Sequence, residues 1–169
     1  MRLRPYRIED AEALAEAARE SAREVSPWGP WCHPAFSLEE ARTWVAGQVE
    51  TWAQRTAFEH CIVDGKGRYL GGCGLNQIHF GHGFANLGYW VRTSATGRGV
   101  ATEAVRQLVD FARRETDLVR LELVIAVGNH ASTRVAEKAG AHFEGILRAR
   151  LQLHGLAHDA RMYSFVVAR

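Results

Sequence analysis

Residues 93–114 read TSATGRGVATEAVRQLVDFARR, and they put Gly97 and Gly99 one residue apart ahead of an uninterrupted helical pattern. The spacing predicts a helix over roughly 97–114, with Val100, Ala104, Leu108 and Phe111 on one stripe. Glycines at the mouth of a helix let main-chain N–H groups point at an anion, and the helix adds its positive end. A tight strand-to-helix turn with no ligand would use the same two glycines. A nucleotide P-loop is excluded, because no Gly-Lys-[Ser/Thr] follows. A dinucleotide loop is excluded too, because Val100-Ala101-Thr102 stands where a third glycine would be needed.

The flanking segments predict strands. FANLGYWV precedes the loop, and LVRLELVIAV, apolar and β-branched on alternate residues, follows the helix. A strand, a helix and a further strand demand a parallel pair inside the sheet. Upstream, AFEHCIVD and RYLGGCGLNQIHF form a hairpin around DGKG, and GHG turns into FANLGYWV. Downstream, a short helix from near His130 to Ala139 ends at Gly140, and HFEGILRARLQL pairs with HDARMYSFVVA across HG. At the start, RLRPYR predicts an edge strand. Asp10 then caps an Ala-rich helix whose Leu14, Ala17, Ala18 and Ser21 share a face. SPWGPWCHP is a restricted loop. Ser37 opens a capping box with Glu40 for a second helix, whose inner face carries Trp44, Val45, Gln48, Val49 and Trp52. The order is β-α-α-β-β-β-α-β-α-β-β over one domain, 1–169, with no linker or repeat.

Composition narrows the function classes. With 47% hydrophobic and 24% charged residues the chain has the make-up of a globular domain, and a net charge of +2 gives no electrostatic case for nucleic acid. No apolar run reaches the ~20 residues a bilayer span requires, and MRLRPYRIED lacks the apolar stretch of a signal peptide, so no membrane partner and a cytoplasmic location are expected. Cys32, Cys61 and Cys73 are odd in number and form no motif, which predicts reduced thiols. His79, His82, His154 and His158 lack cysteine or carboxylate at ligand spacing, so no metal is expected.

GYWV, then GRGVATEAV, then NHASTRVAEKAGAHFEG resemble the GNAT superfamily of acetyl-CoA-dependent N-acetyltransferases, in the branch of the RimJ- and RimL-type ribosomal-protein N-terminal acetyltransferases. Motifs and element order together cover nearly the whole chain. The resemblance implies an α/β chain of the α+β type, with one mixed, mostly antiparallel sheet splayed between its two central strands and about four flanking helices. It also implies acetyl-CoA as co-substrate. Its pyrophosphate would lie on the backbone of Gly97, Arg98, Gly99, Val100 and Ala101, with Thr102 close by. The pantetheine arm would bond to the main chain of Trp90 and Val91, and an N–H near Val91 or Arg92 would face the thioester oxygen. Asn129 and Ser132, which residue chemistry alone reads as a helix cap, would contact the pantetheine and the thiol, Ser132 donating to the departing thiolate. Two departures stand out: Thr96 replaces the loop's usual Gln or Arg, and Ala136 occupies the position where most of the superfamily carries a general-acid tyrosine.

An attacking amine must lose a proton. His79 and Glu122 are the candidate bases, with a water relay ahead of either. The acceptor cleft falls to Trp28, Trp31, His33, Asn86 and His154, around the SPWGPWCHP loop and the last hairpin, although tryptophans in such a loop also serve as plain packing. The acceptor is then an amine-bearing small molecule or a protein N-terminus, and the second helix offers a face for a homodimer. The competing expectation is a catalytically weak acyl-CoA-binding sensor or scaffold.

Overall fold

The computed structural model describes residues 1–168, and the last residue of the expected 1–169 domain, Arg169, lies outside the described residues. Seven strands and four α-helices alternate in the expected order: β1 (Arg2–Pro5), α1 (Ala11–Val25), α2 (Leu38–Ala53), β2 (Phe58–Val63), β3 (Tyr69–His79), β4 (Phe84–Val91), α3 (Val100–Glu115), β5 (Arg120–Ala126), α4 (His130–Ala139), β6 (His142–Leu153) and β7 (Leu156–Val166). They form one sheet in the order β1-β2-β3-β4-β5-β7-β6. Every neighbouring pair is antiparallel except β4 and β5, which run parallel, as the crossover through α3 requires.

The side-chain period of two splits the core by face. Along β2, Phe58 and Ile62 join Leu75, Leu87, Leu108, Leu121 and Leu123 under α3 and α4. Cys61 and Val63, one residue out of phase, join Leu14, Ala17, Ala18 and Val45 under α1 and α2. The stripe of α3 behaves as its spacing demands, with Ala104 and Leu108 buried and Val100 and Phe111 packed against them. The α2 face is lighter than expected. Val45 is buried and Trp52 packs on Phe58 and Phe111, but Trp44 is 38% and Val49 42% exposed.

Local chemistry places most of the ends. Ser37 Oγ accepts from Glu40 N at 3.1 Å while the Glu40 carboxylate accepts from Ser37 N at 2.8 Å, the expected capping box. Gly140 closes α4 at φ +94°, and His154-Gly155 turn β6 into β7 with φ of +50° and +80°. Asp10 does not cap α1. Arg4 holds its carboxylate at 2.6 Å on both oxygens, and Arg7 N donates to it at 2.8 Å, so it ties the edge strand to the turn ahead of the helix. Helix α3 begins at Val100, after the left-handed Gly97 and Gly99, and not at 97. The three cysteines are buried and free.

One charged side chain is sunk at the end of β4. Arg92, 4% exposed, donates Nε to Glu20 Oε2 at 2.9 Å and Nη2 to Glu16 Oε1 at 2.6 Å, both on α1. Ser94 N also donates to Glu20 at 2.7 Å, and Thr93 N to Ser21 Oγ at 3.0 Å. The run that leads into the glycine loop is therefore clamped to α1. The Arg92 hydrogen bond, opposed by partial burial, holds the Glu20 carboxyl near 2, well below its ordinary 4.5. A carboxylate held down in this way stabilises the fold above about pH 4.5 and stops doing so as pH falls through about 2. Glu20→Gln is expected to cost about 1–3 kcal/mol at pH 7, the difference from wild type shrinking to nothing towards pH 2. Urea midpoints of the two proteins across that range check it.

Candidate functional site

The centre of the sheet opens. The β4–β5 ladder holds only Phe84, Ala85 and Asn86 against Arg120, Leu121 and Glu122, although β4 continues to Val91 and β5 to Ala126. Past that rung the two strands part and leave main-chain groups without a strand partner. Which groups face the gap follows from the β3–β4 register. Arg92 N donates to Leu70 O at 2.8 Å, and Gly71 pairs with Val91. Antiparallel alternation then turns the N–H and C=O of Trp90 towards β3, and those of Tyr89 and Val91 towards the gap. The Trp90 carbonyl indeed sits 2.2 Å from where a Gly71 Cβ would lie. Val91 thus keeps its expected place on the gap. Trp90 offers no main-chain group to it, and Arg92 N is occupied and unable to serve as an oxyanion donor.

At the open end stand Gly97 and Gly99, with φ of +73° and +77°. A Cβ on either would meet no protein atom within 4 Å, so the space in front of the loop is empty. Among the described residues the N–H groups of Gly97, Arg98 and Gly99 find no backbone acceptor, and those of Val100, Ala101 and Thr102 belong to the first turn of α3, which has none of its own. Six successive donors without a backbone acceptor, beside open space, are a construction a pyrophosphate fits. Arg98 is exposed beside it. Thr96 turns away: its Oγ1 donates to Thr93 O at 2.8 Å.

Across the gap, Asn129 caps α4 by accepting from Ser132 N at 3.1 Å. Ser132 Oγ lies 2.7 Å from Tyr89 Oη, and Tyr89 Oη is also 3.0 Å from Ser132 O. Tyr89 was not singled out from the sequence. Its signal was parity, since Ala85, Leu87, Tyr89 and Val91 all face α3 and α4, which aims the phenol at the start of α4. Burial pushes this phenol up to about 12 against the Ser132 hydrogen bond, so it stays protonated at neutral pH. Tyr89 Oη donates its one proton to Ser132 O, so within the pair Ser132 Oγ–H is the donor and Tyr89 Oη the acceptor. A phenol thus returns to the site from β4, where α4 carries Ala136.

The other face of the sheet carries the cleft residues. Trp90 stacks edge-on against Trp31 at 5.2 Å, and the Trp28 ring comes within 3.7 Å of a Cβ built at Gly128. His154 Nε2 lies 2.8 Å from Ser26 O, joining the last hairpin to the loop after α1. Asn86 donates Nδ2 to Asn76 Oδ1 at 2.8 Å. His33 pairs with Glu40 at 3.0 Å, beside the α2 cap. Neither candidate base is poised. His79 is exposed at the β3–β4 turn, stacked on His82 and Phe84, because a bulge between Asn76 and His79, with Gln77 at φ +49°, alters the strand's phase. It pairs with Phe84, five residues and roughly 16 Å of strand from Tyr89. Glu122 accepts from Arg120 Nε at 2.8 Å, and Arg120 is also held by Glu144. Among the described residues no His, Cys, Asp and Glu group could hold a metal ion, and no helix is long and apolar enough to cross a membrane.

Comparison with known proteins agrees with this geometry. Residues 1–142 match the acetyltransferase (GNAT) domain family. YdaF of Bacillus subtilis (strain 168) is 31% identical over 160 residues, 93% of this chain and 86% of its own. The ribosomal-protein-serine acetyltransferase of Escherichia coli (strain K12) is 26% identical over 81% of this chain and 76% of its own. Among solved structures, RimL, a ribosomal L7/L12 alpha-N-protein acetyltransferase in complex with coenzyme A, superposes with a TM-score of 0.87 at 24% identity, over 98% of this chain and 93% of that one. The parted strands, the glycine loop and the matched family together make this chain a member of the GNAT acetyltransferases, an N-acetyltransferase that uses acetyl-CoA.

Proposed function

We propose that the chain acetylates the free α-amine of a protein N-terminus, with both substrates bound together, in the cytoplasm. The observation that carries the reading is the parting of β4 from β5 after Asn86, with the open glycine loop at one end and Ser132 at its side. What supports a protein acceptor is the likeness to relatives named for ribosomal proteins. The chemistry agrees, since an α-amine near pKa 8 gives up its proton more readily than a lysine near 10.4.

Acetyl-CoA supplies an acyl carbon that the amine attacks while the C–S bond breaks. The chain's own residues do the rest. The N–H groups of residues 97–102 hold the pyrophosphate, and Arg98 adds charge from solvent. The main chain of Val91 and Tyr89 bonds to the pantetheine arm as a neighbouring strand would. Ser132 Oγ–H, which rests on Tyr89 Oη, turns to donate to the departing thiolate, and Tyr89 holds the serine in place through its bonds to Ser132 Oγ and O. Water takes the amine proton, because Glu122 is engaged by Arg120 and His79 is remote. Trp28, Trp31 and Trp90 wall the acceptor cleft.

Three outcomes are expected. Incubation with acetyl-CoA and peptides bearing free N-termini releases free thiol, and mass spectrometry finds the acetyl on the α-nitrogen; transfer only to lysine side chains or only to small amines would refute the protein N-terminus. Gly99→Val weakens coenzyme A binding at least about tenfold by filling the open concavity. Gly140→Val, equally strained at φ +94° but outside the site, leaves binding alone, and titration calorimetry reads both. Ser132→Ala lowers kcat by about 100-fold and Tyr89→Phe by about tenfold, with the KM for acetyl-CoA within about twofold in each. An unchanged kcat in either removes that residue from the thiolate step.

A further inference from the structure

On the face of β2, β3 and β4 that lies towards α1 and α2, three side chains form a directed chain of hydrogen bonds. Asn86 Nδ2 donates to Asn76 Oδ1 at 2.8 Å, and Asn76 Nδ2 donates to Glu59 Oε1 at 2.8 Å. The sheet makes room for it. A Cβ at Gly74 would lie 2.0 Å from Glu59 Oε2, so the carboxyl lies directly on that glycine. At Gly88 a Cβ would meet only the Asn86 and Asn76 Nδ2 atoms, at 3.7 and 3.8 Å, so the surface in front of Gly88 is open. Asn86 belongs to the last rung before β4 and β5 part, and it pairs there with Glu122. Its Oδ1 has no protein partner, and no buried side-chain nitrogen or oxygen among the described residues lacks one, so this oxygen is not sealed from solvent.

The direction of the chain comes from its far end. An ionised Glu59 carboxylate can only accept, so while it is ionised Asn76 turns its amide nitrogen towards Glu59 and its oxygen towards Asn86. Asn86 then gives its nitrogen to Asn76 and is left with a bare carbonyl. Hydrogen bonds in series polarise one another, which strengthens that last oxygen as an acceptor.

Resting on the acetyltransferase reading above, we propose that Asn86 Oδ1 receives the incoming primary ammonium of the acceptor, and that Glu59, acting through Asn76, is the positioning residue that keeps an acceptor and not a donor at this point of the cleft. The site thereby selects substrates that bring several N–H donors on one nitrogen. Neither Glu59 nor Asn76 touches the substrate.

The test measures binding of trialanine amide to the protein saturated with coenzyme A, with N-acetylated trialanine amide as the control lacking an ammonium. Glu59→Gln lets the chain of amides reverse, so that Asn86 presents its NH2 group, and is expected to weaken trialanine amide about tenfold or more with the control unmoved. Glu59→Gln combined with Asn86→Asp moves the carboxylate to the other end of a reversed chain, and binding is expected to return to within about threefold of wild type. Rescue of this kind is not expected of a residue that merely packs. Binding by Glu59→Gln within about twofold of wild type, or a folded double variant with no recovery, overturns the proposal. Wild-type binding too weak to measure overturns it as well. Should Glu59→Gln melt before it can be assayed, Asn86→Leu decides: loss of ammonium binding sustains the proposal and full retention sinks it. These readouts need no turnover. A wild-type enzyme that binds trialanine amide but releases no thiol with any peptide therefore refutes the protein N-terminus and not the amide chain, whereas normal release alongside an indifferent Glu59→Gln does the reverse.

Discussion

Two neighbouring parallel strands that stop bonding after three rungs are the constraint on which this molecule depends. Buried main-chain N–H and C=O groups are costly when unpaired, so a sheet does not part in its middle unless other contacts hold the halves and something can enter. On one side the Arg92 guanidinium, sunk between Glu16 and Glu20, draws the end of β4 towards α1. On the other, β7 pairs with β5 along its whole length from Arg120 to Ala126 and keeps it straight. Tyr89 and Ser132 meet across the space between them. The gap is thus a built feature with anchored walls.

The parting also separates two kinds of chemistry by strand parity. On β4, residues facing α3 and α4 meet the helix starts, where main-chain donors and the Tyr89–Ser132 pair lie. Residues facing the other way, Asn86, Gly88 and Trp90, meet Asn76, Tyr69 and Trp31. A thioester reaching through the sheet would be gripped on one face and attacked from the other. The exposed glycine loop needs no side chain for this, which explains why Thr96 can turn back on Thr93 without emptying the cradle of donors.

Much of this was legible in the residues. Period-2 and period-3.6 patterns set all eleven elements in order, and Ser37 with Glu40, Gly140 and His154-Gly155 marked their ends, because caps and turns are local chemistry. Local signals misled where a distant group competed. Asp10 looked like a helix cap until Arg4, on another element, took its carboxylate. Glu122, a candidate base that composition left equally open to pairing with an arginine, is held by Arg120 two residues away on its own strand. His79 depended on strand phase, and one bulge at Gln77 was enough to misplace it.

The sequence by itself determined the elements, their order, the need for one parallel pair, and the loop of Gly97 and Gly99, since each rests on neighbours within a few positions along the chain. Only the tertiary structure decided where β4 leaves β5, that Arg92 is a buried clamp and not a contributor to the site, and that Tyr89 stands beside Ser132. The bonds of Tyr89 to Ser132 and of Arg92 to Glu16 join residues 43 and 76 positions apart. A hydrogen bond between such residues exists only once the sheet and helices have set their side chains within reach, and no periodicity carries that distance.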